Sequence, residues 1–311
     1  MSAASLAART PGAAFMLGVL AVGFAAATPG FASLPNLVNV LLQSSVLLLI
    51  ALPMTLVIMT EGLDLSVGAV LTLASVVLAL VATASGSVTL AILAGLAVGF
   101  SCGAVNGWLV AGLDLPPFVA TLGTLGMVQG VALAASGGQS VVGLPPTLLV
   151  WYGGHVAMLP LPIVIVALAY TAMHVLLYRT SFGSHVFALG GNREALAFAG
   201  IRYRGTLAAV YALNGLMAGF AAILFTARLD AGHPTAGIGT EFDAIAAVAV
   251  GGTSFERGNG WLPGTVLGVL TIGVLRNGLN LLAVPSSLHV ACIGVLVILA
   301  FVIEGAKGTA P

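Results

Sequence analysis

The sequence predicts an all-α polytopic membrane protein of about ten transmembrane helices, and three observations predict it. Of 311 residues, 59% are hydrophobic and only 6% are charged, where an ordinary soluble domain is about one quarter charged. The mean hydropathy is +1.16. The apolar residues fall in runs close to the roughly 20 residues that cross a 30 Å hydrocarbon slab. Too little polar surface remains to wrap a globule in water. A soluble enzyme is excluded, and residues 1–311 read as a single transmembrane domain with no sizeable extramembrane part.

Taken in order, the first run covers 13–28, after Arg9. Its end, Ala27-Thr28-Pro29-Gly30-Phe31-Ala32-Ser33, has the small residues of a signal-peptide cleavage site, but the expectation is an uncleaved first helix. Further runs lie at 37–59, 66–84, 88–111, 117–136, 160–178, 207–227, 241–256, 262–282 and 286–303. The stretch Gly137–Pro160, rich in Pro and Gly and carrying His155, holds no apolar window of about 19 residues and reads as a loop.

Positive residues are retained on the cytoplasmic side. With the amino terminus inside, Arg9, Arg179, Arg193, Arg202, Arg204, Arg257 and Lys307 all come out cytoplasmic. Arg228 falls outside and Arg276 within a span. Both termini are then cytoplasmic, the 137–160 loop is external, and 179–206 is a cytoplasmic loop. The series Gly99, Gly103, Asn106-Gly107, Pro116-Pro117 is matched by Gly268, Gly273, Asn277-Gly278, Pro285. These lie on spans of opposite direction, as an inverted repeat requires.

The rare residues exclude more. Lys307, the only lysine, follows Ala306, so the Gly-Lys of a P-loop cannot be written. No HExxH or CxxC occurs, and Cys102 and Cys292 sit inside apolar runs as packing residues. No cofactor, metal site or catalytic residue is expected, and zero net charge offers nothing to nucleic acid.

Two carboxylates stand at helix starts. Asp64, in Thr60-Glu61-Gly62-Leu63-Asp64-Leu65-Ser66-Val67-Gly68, precedes the third span, and Glu241 with Asp243 opens the eighth. Capping of free amides at the positive helix end is favoured over ion binding, because a coupled-ion site belongs in mid-span. Gly251-Gly252-Thr253-Ser254 marks either a helix break lining a cavity or close packing. Asn277, beside Arg276, either bonds a neighbouring helix or lines a pore. Together Asp64, Asn106, Thr121, Asp243, Gly251, Gly252, Thr253 and Asn277 are the candidates for a translocation path or helix breaks. In the 179–206 loop, Asn192 reads as a cap, Glu194–Ala199 as a short amphipathic helix and Gly200 as its stop. A helix so short needs a partner surface, its own helix ends or another subunit.

The runs at 60–68, Pro117–Thr124, Gly190-Gly191-Asn192 to Gly200-Ile201, Asp243–Val248 with Gly251–Ser254, and Asn277-Gly278-Leu279 together resemble the membrane permeases of monosaccharide ABC importers, the ribose-type family, over residues 36–304. The resemblance implies a type II importer permease in the bacterial inner membrane. It implies partners as well: a second permease copy, identical or related, a cytoplasmic ABC ATPase, a periplasmic sugar-binding protein and membrane lipid. By motif position the segment coupled to the ATPase is Asn192, Arg193, Glu194, Ala195, Gly200 and Ile201. Leu196 departs from the family, where a second alanine is usual. On the outer face Arg228, Asp230 and His233 are the candidates for docking the binding protein. A permease for branched-chain amino acids or nucleosides keeps this architecture. An ion-coupled carrier is the competing class and would use Asp64 or Asp243.

Overall fold

The structure, a computed structural model, describes residues 11–191, 196, 200, 203–254 and 258–308. The chain forms helices α1 (Pro11–Ala27), α2 (Leu34–Met59), α3 (Val67–Ser85) and α4 (Val88–Gly107), with α4 running on into a π-helical turn, Trp108–Gly112. There follow α5 (Pro117–Ser136), α6 (Pro146–Gly153), a two-stranded hairpin of β1 (His155–Val156) and β2 (Leu159–Pro160), and α7 (Leu161–Arg179). The remainder is α8 (Ser181–Gly191), α9 (Tyr203–Leu229), α10 (Thr240–Val250), α11 (Leu262–Leu281) and α12 (Ser286–Gly308).

Local chemistry sets many of these boundaries. Proline stands in the first turn of α2, α5, α6, α7 and α11, where its missing N–H has no intrahelical partner anyway. Ser33 Oγ and Ser87 Oγ accept from the free amides of Asn36 and Leu90 to start α2 and α4. Gly86 and Gly137, at φ +66 and +60, end α3 and α5 in the left-handed conformation that costs glycine little.

Seven described helices are long and apolar enough to cross a membrane: α2, α3, α4 with its π-turn, α5, α7, α9 and α11. The described apolar parts of α1 and α12, Gly12–Ala27 and Ser286–Leu299, are shorter. The eighth run expected at 241–256 is instead an 11-residue helix, about 16 Å long at 1.5 Å per residue, and it covers only half a bilayer. The 137–160 stretch, expected to be a loop, folds into α6 and the hairpin.

Burial separates centre from rim. The apolar stretch of α2 is 78% buried, against 22% for α4 and for α7. The outward faces of α4, α5 and α7 present Phe100, Trp108, Leu122 and Leu168, surfaces that suit hydrocarbon rather than water.

The helices pack in a crossed pattern. The third helix of the series α2–α5 lies on the first of α9–α12, and the third of α9–α12 lies on the first of α2–α5: α4 packs on α9, and α11 on α2. The second members cross over likewise, α3 onto α9 and α10 onto α2. Such a crossed exchange is what an inverted repeat would produce. The α4–α9 contact is a stripe of small residues. Gly95, Gly99, Gly103 and Gly107 recur every fourth position and face Gly219, Gly215, Tyr211 and Ala208, and a Cβ at Gly99, Gly103 or Gly107 would overlap the α9 backbone. Backbones that approach so closely gain dispersion contact that lipid cannot replace.

Candidate functional site

Two non-helical segments turn back into the bundle and meet inside it. After α2 the Val57 carbonyl accepts from both Thr60 N and Gly62 N, which reverses the chain. Asp64 then fixes the corner. Its Oδ1 accepts from Ser66 N at 2.9 Å and Ser66 Oγ at 2.6 Å, and its Oδ2 accepts from Asn214 Nδ2 of α9 at 2.9 Å. Asn106 Nδ2 of α4 donates to Ser66 Oγ at 2.7 Å. Thr121 Oγ of α5 donates to the Pro117 carbonyl at 2.9 Å and to Leu63 O at 3.3 Å. Asp64, Ser66, Asn106 and Asn214 are all buried. A buried carboxylate is tolerable only with good donors. Asp64 therefore ties the α2–α3 corner to α4 and α9.

The second segment, 230–239, runs from the end of α9 along α3. Gly232 lies against Ser75 and Ala79, and Gly237 against Gly68, Leu71 and Thr72. Non-helical turn backbone packed in the interior needs partners from protein, and side chains supply them. Gln129 Nε2 donates to Pro234 O at 2.6 Å, and Gly237 N donates to Thr72 Oγ at 3.2 Å. Gly239 N donates to the Glu241 carboxylate at 3.0 Å. Glu241 is buried, and a Cβ on Gly68 would overlap its Oε2. Thus the amino-terminal turns of α3 and α10 face one another across Glu241, each presenting a partial positive charge to that carboxylate. From this joint α3 leaves beside α9, held by Thr226 Oγ donating to Ser75 Oγ at 2.7 Å. In the opposite sense α10 runs antiparallel to α11, with Asp243 opposite Arg276, Ala247 opposite Gly268 and Gly251 opposite Gly264.

The other expected residues lie around this centre. Asp243 pairs with Arg276 at 2.5 Å, and Asn277 exchanges amide hydrogen bonds with Asn36 at 2.9 and 3.0 Å, joining α11 to α2. Gly251 and Gly252 end α10: the Gly251 carbonyl accepts from Trp261 Nε1 at 3.0 Å, and Gly252 takes φ +82. Thr253 is buried after them. Arg228 and Asp230 are exposed, with no ion pair between them among the described residues. His233 Nδ1 shares a hydrogen bond with Ser140 Oγ, and Gly232 bridges Val141. Asn192, Arg193, Glu194, Ala195 and Ile201 lie outside the described residues. Gly200 takes φ +73 and Leu196 is buried. Just before them, a Cβ at Gly190 would overlap the Met59 carbonyl and Gly258, so α8 ends against both α2 and the α10–α11 connection.

Sequence reasoning did not single out Asn214, Gln129 or Thr72. Asn214 stands alone as a carboxamide on the apolar face of α9, and that isolation was a usable signal. Gln129 on α5 was another. A groove of about 520 Å³ between α7 and α9 is lined by apolar side chains only, Leu168, Met173, Met217 and Phe220 among them. It offers nothing to hydrogen-bond a polar cargo.

Two short re-entrant segments, helix amino termini meeting in the interior and a crossed pair of helical halves define a multi-pass membrane transport protein. The comparisons with known proteins make that class specific. The family described as "branched-chain amino acid transport system / permease component" matches residues 36–301, and the chain belongs to it. Among similar proteins, the ribose import permease protein RbsC of Escherichia coli (strain K12) is 39% identical over 284 residues, 90% of this chain and 88% of the relative. The D-allose transport system permease protein AlsC of the same organism is 35% identical over 295 residues, 94% and 90% of the two chains. The fructose import permease protein FrcC of Rhizobium meliloti is 32% identical over 274 residues, 85% and 76%. No solved structure matches the chain.

Proposed function

We propose that this chain is the membrane-spanning subunit of an ABC importer that passes a monosaccharide, a ribose-like pentose or a hexose, across the bacterial inner membrane. Relatives named for ribose, allose and fructose support the cargo class, and a motor on a separate ATPase accords with a sequence in which no P-loop is written. One structural observation carries most weight: the amide side chains of the interior are engaged within the chain, as in Asp64–Asn214 and Asn36–Asn277, and the groove between α7 and α9 is apolar. A path for a polyol is then assembled between two permease copies, not within one chain. A neutral sugar needs no fixed charge on such a path. Affinity belongs to a periplasmic binding protein.

In this reading both termini are cytoplasmic, and the 179–206 loop takes the push of the ATPase through Asn192, Arg193, Glu194, Ala195, Gly200 and Ile201. Arg228, Asp230 and His233 face the binding protein on the other side. Asp64, Asn106, Thr121, Asp243, Gly251, Gly252, Thr253 and Asn277 hold the helix breaks that shift between inward and outward states. Membrane lipid covers the outward apolar faces.

The test is reconstitution in liposomes with an ABC ATPase and a sugar-binding protein from the same organism, offering labelled ribose, allose and fructose. Uptake of at least one sugar that requires ATP is expected. Uptake by the chain alone, driven by a proton or sodium gradient, would falsify the importer reading. The family description keeps branched-chain amino acids as the second reading, and labelled leucine in the same assay separates the two.

A further inference from the structure

The chain carries no Asp, Glu, Lys or Arg between Asp114 and Arg179. Within a span that is ordinary, but this stretch includes all of 137–160, which connects α5 to α7. The connection folds only part of its apolar side chains away. Leu144 and Leu148 are buried against Leu78, Ala79, Ala82 and Ile223, which seats α6 on the ends of α3 and α9. The hairpin that follows turns its side chains outward: Val156 and Leu159 pair across it, Ala157 and Met158 form its tip, and Met158 is 95% exposed. A cluster of Val, Met and Leu at a tip with no neighbouring charge is a poor water-facing surface.

We propose that the α6–hairpin unit lies in the membrane interface, with Val156, Met158 and Leu159 inserted among the lipids of the leaflet on that side. That is the outer leaflet in the orientation proposed above. Position favours lipid over a soluble partner. Leu161 N donates to Gly154 O at 2.8 Å and closes the base of the hairpin against the first residue of α7. The tip is therefore only a few residues from a membrane span. Its apolar surface continues into the exposed Leu168 and Val175 of α7. Trp151 and Tyr152, half-buried on α6, are the residue types that settle at headgroup level. A surface for a transient soluble partner carries a polar, charged rim, and here the charge lies on the adjoining connection, at Arg228 and Asp230. This end of the molecule thus divides into a lipid-bound half and a charged, water-facing half. The Val141–Gly232 bridge joins them.

The inference rests on the chain spanning a membrane and not on its cargo. Met158 touches little in the fold, so Met158→Cys on a background with Cys102→Ala and Cys292→Ala should leave it intact. Asp230→Cys on the same background is the reference. In liposomes of phosphatidylethanolamine and phosphatidylglycerol, an environment-sensitive fluorophore at 158 is expected to emit at shorter wavelength than at 230. Its intensity should fall with lipids brominated on the acyl chains, whereas that at 230 should not, as insertion at the headgroup/acyl boundary requires. An impermeant maleimide should label 158 far more slowly than 230 in liposomes and equally fast in detergent. Equal labelling in liposomes, without quenching, overturns the proposal. So does protection of 158 that appears only when a soluble partner is added, or that persists in detergent through pairing of two copies.

Discussion

The Glu241 carboxylate rests on Gly68, with Gly237 O beside it, where the first turns of α3 and α10 face each other. Two positive helix ends share one negative group there, and only a residue without Cβ lets them approach. Gly68 and Glu241 come from different halves of the crossed arrangement, so their contact is one of the joints between them, beside the α4–α9 and α2–α11 contacts.

Gly68→Ala tests that joint. A methyl group would overlap both Glu241 Oε2 and Gly237 O, and overpacking of this kind costs about 1–3 kcal/mol. Thermal unfolding of the purified chain in detergent should show a lowered midpoint. Glu241→Gln keeps an acceptor for Gly239 N but removes the charge from two helix ends, a loss of about 0.3–2 kcal/mol. A Gly68→Ala chain that melts like the parent would show that the joint is loose.

Asp64 and Asn214 are predicted to act as a pair. Asn214→Leu deletes a donor to a buried carboxylate, and a hydrogen bond to a charged group is worth about 1.5–3 kcal/mol. In Asp64→Asn the carboxylate is gone, and the same leucine should then cost clearly less, with a coupling of at least about 0.5 kcal/mol in the double-mutant cycle. Purely additive melting shifts would mean that the two side chains stand together without depending on each other.

Much of this fold was legible before any coordinates, and what was not has physical reasons. Composition declared the membrane class, and Pro117, Pro146 and Pro162 fall in the first turns of α5, α6 and α7. Asp64 was read as a capping and turn-setting group before α3; it accepts from Ser66 N, while the first turn of α3 has no side-chain cap. The run expected as the eighth span is an 11-residue helix, preceded by a turn segment, 230–239, that is held in part through Gln129 and Thr72, residues 105 and 165 positions away. Hydropathy windows see no such partners. The glycines of α4 were visible as a repeat mark, yet their use, contact with Gly215 and Gly219, belongs to tertiary packing. Asn214 lies 150 positions from Asp64, so neither residue announces the other.

The glycine stripe allows a matched comparison. Gly103→Val places a branched side chain into the backbone of Tyr211 and Gly215, whereas a Cβ at Gly130 on α5 meets nothing. Measured on the isolated chain in detergent, Gly103→Val should lower the melting point steeply or abolish folding. Gly130→Val should stay within about 0.5 kcal/mol of the parent, as surface changes usually do. Equal effects would show that glycine content, not the α4–α9 contact, governs stability.

The last prediction concerns how a push on the 179–206 loop reaches the spans. Gly190 closes α8 against the Met59 carbonyl and Gly258, while Gly260 packs on Met59 and Thr253. Beyond them, Trp261 Nε1 holds the Gly251 carbonyl at 3.0 Å, and Leu262 N donates to Tyr178 OH at 3.1 Å. A displacement of α8 therefore meets backbone of the α10–α11 connection with no flexible side chain between to absorb it. Gly258, at φ +62, tolerates no Cβ there: Gly258→Ala adds backbone strain of about 1–3 kcal/mol and forces Gly190 away. In the reconstituted importer the ATPase should still co-purify, because the loop proposed to grip it is unchanged, and it should still hydrolyse ATP. Sugar delivered per ATP should fall. If the Gly258→Ala permease transports with the parent's stoichiometry, the force travels by another route, through Met59 and α2.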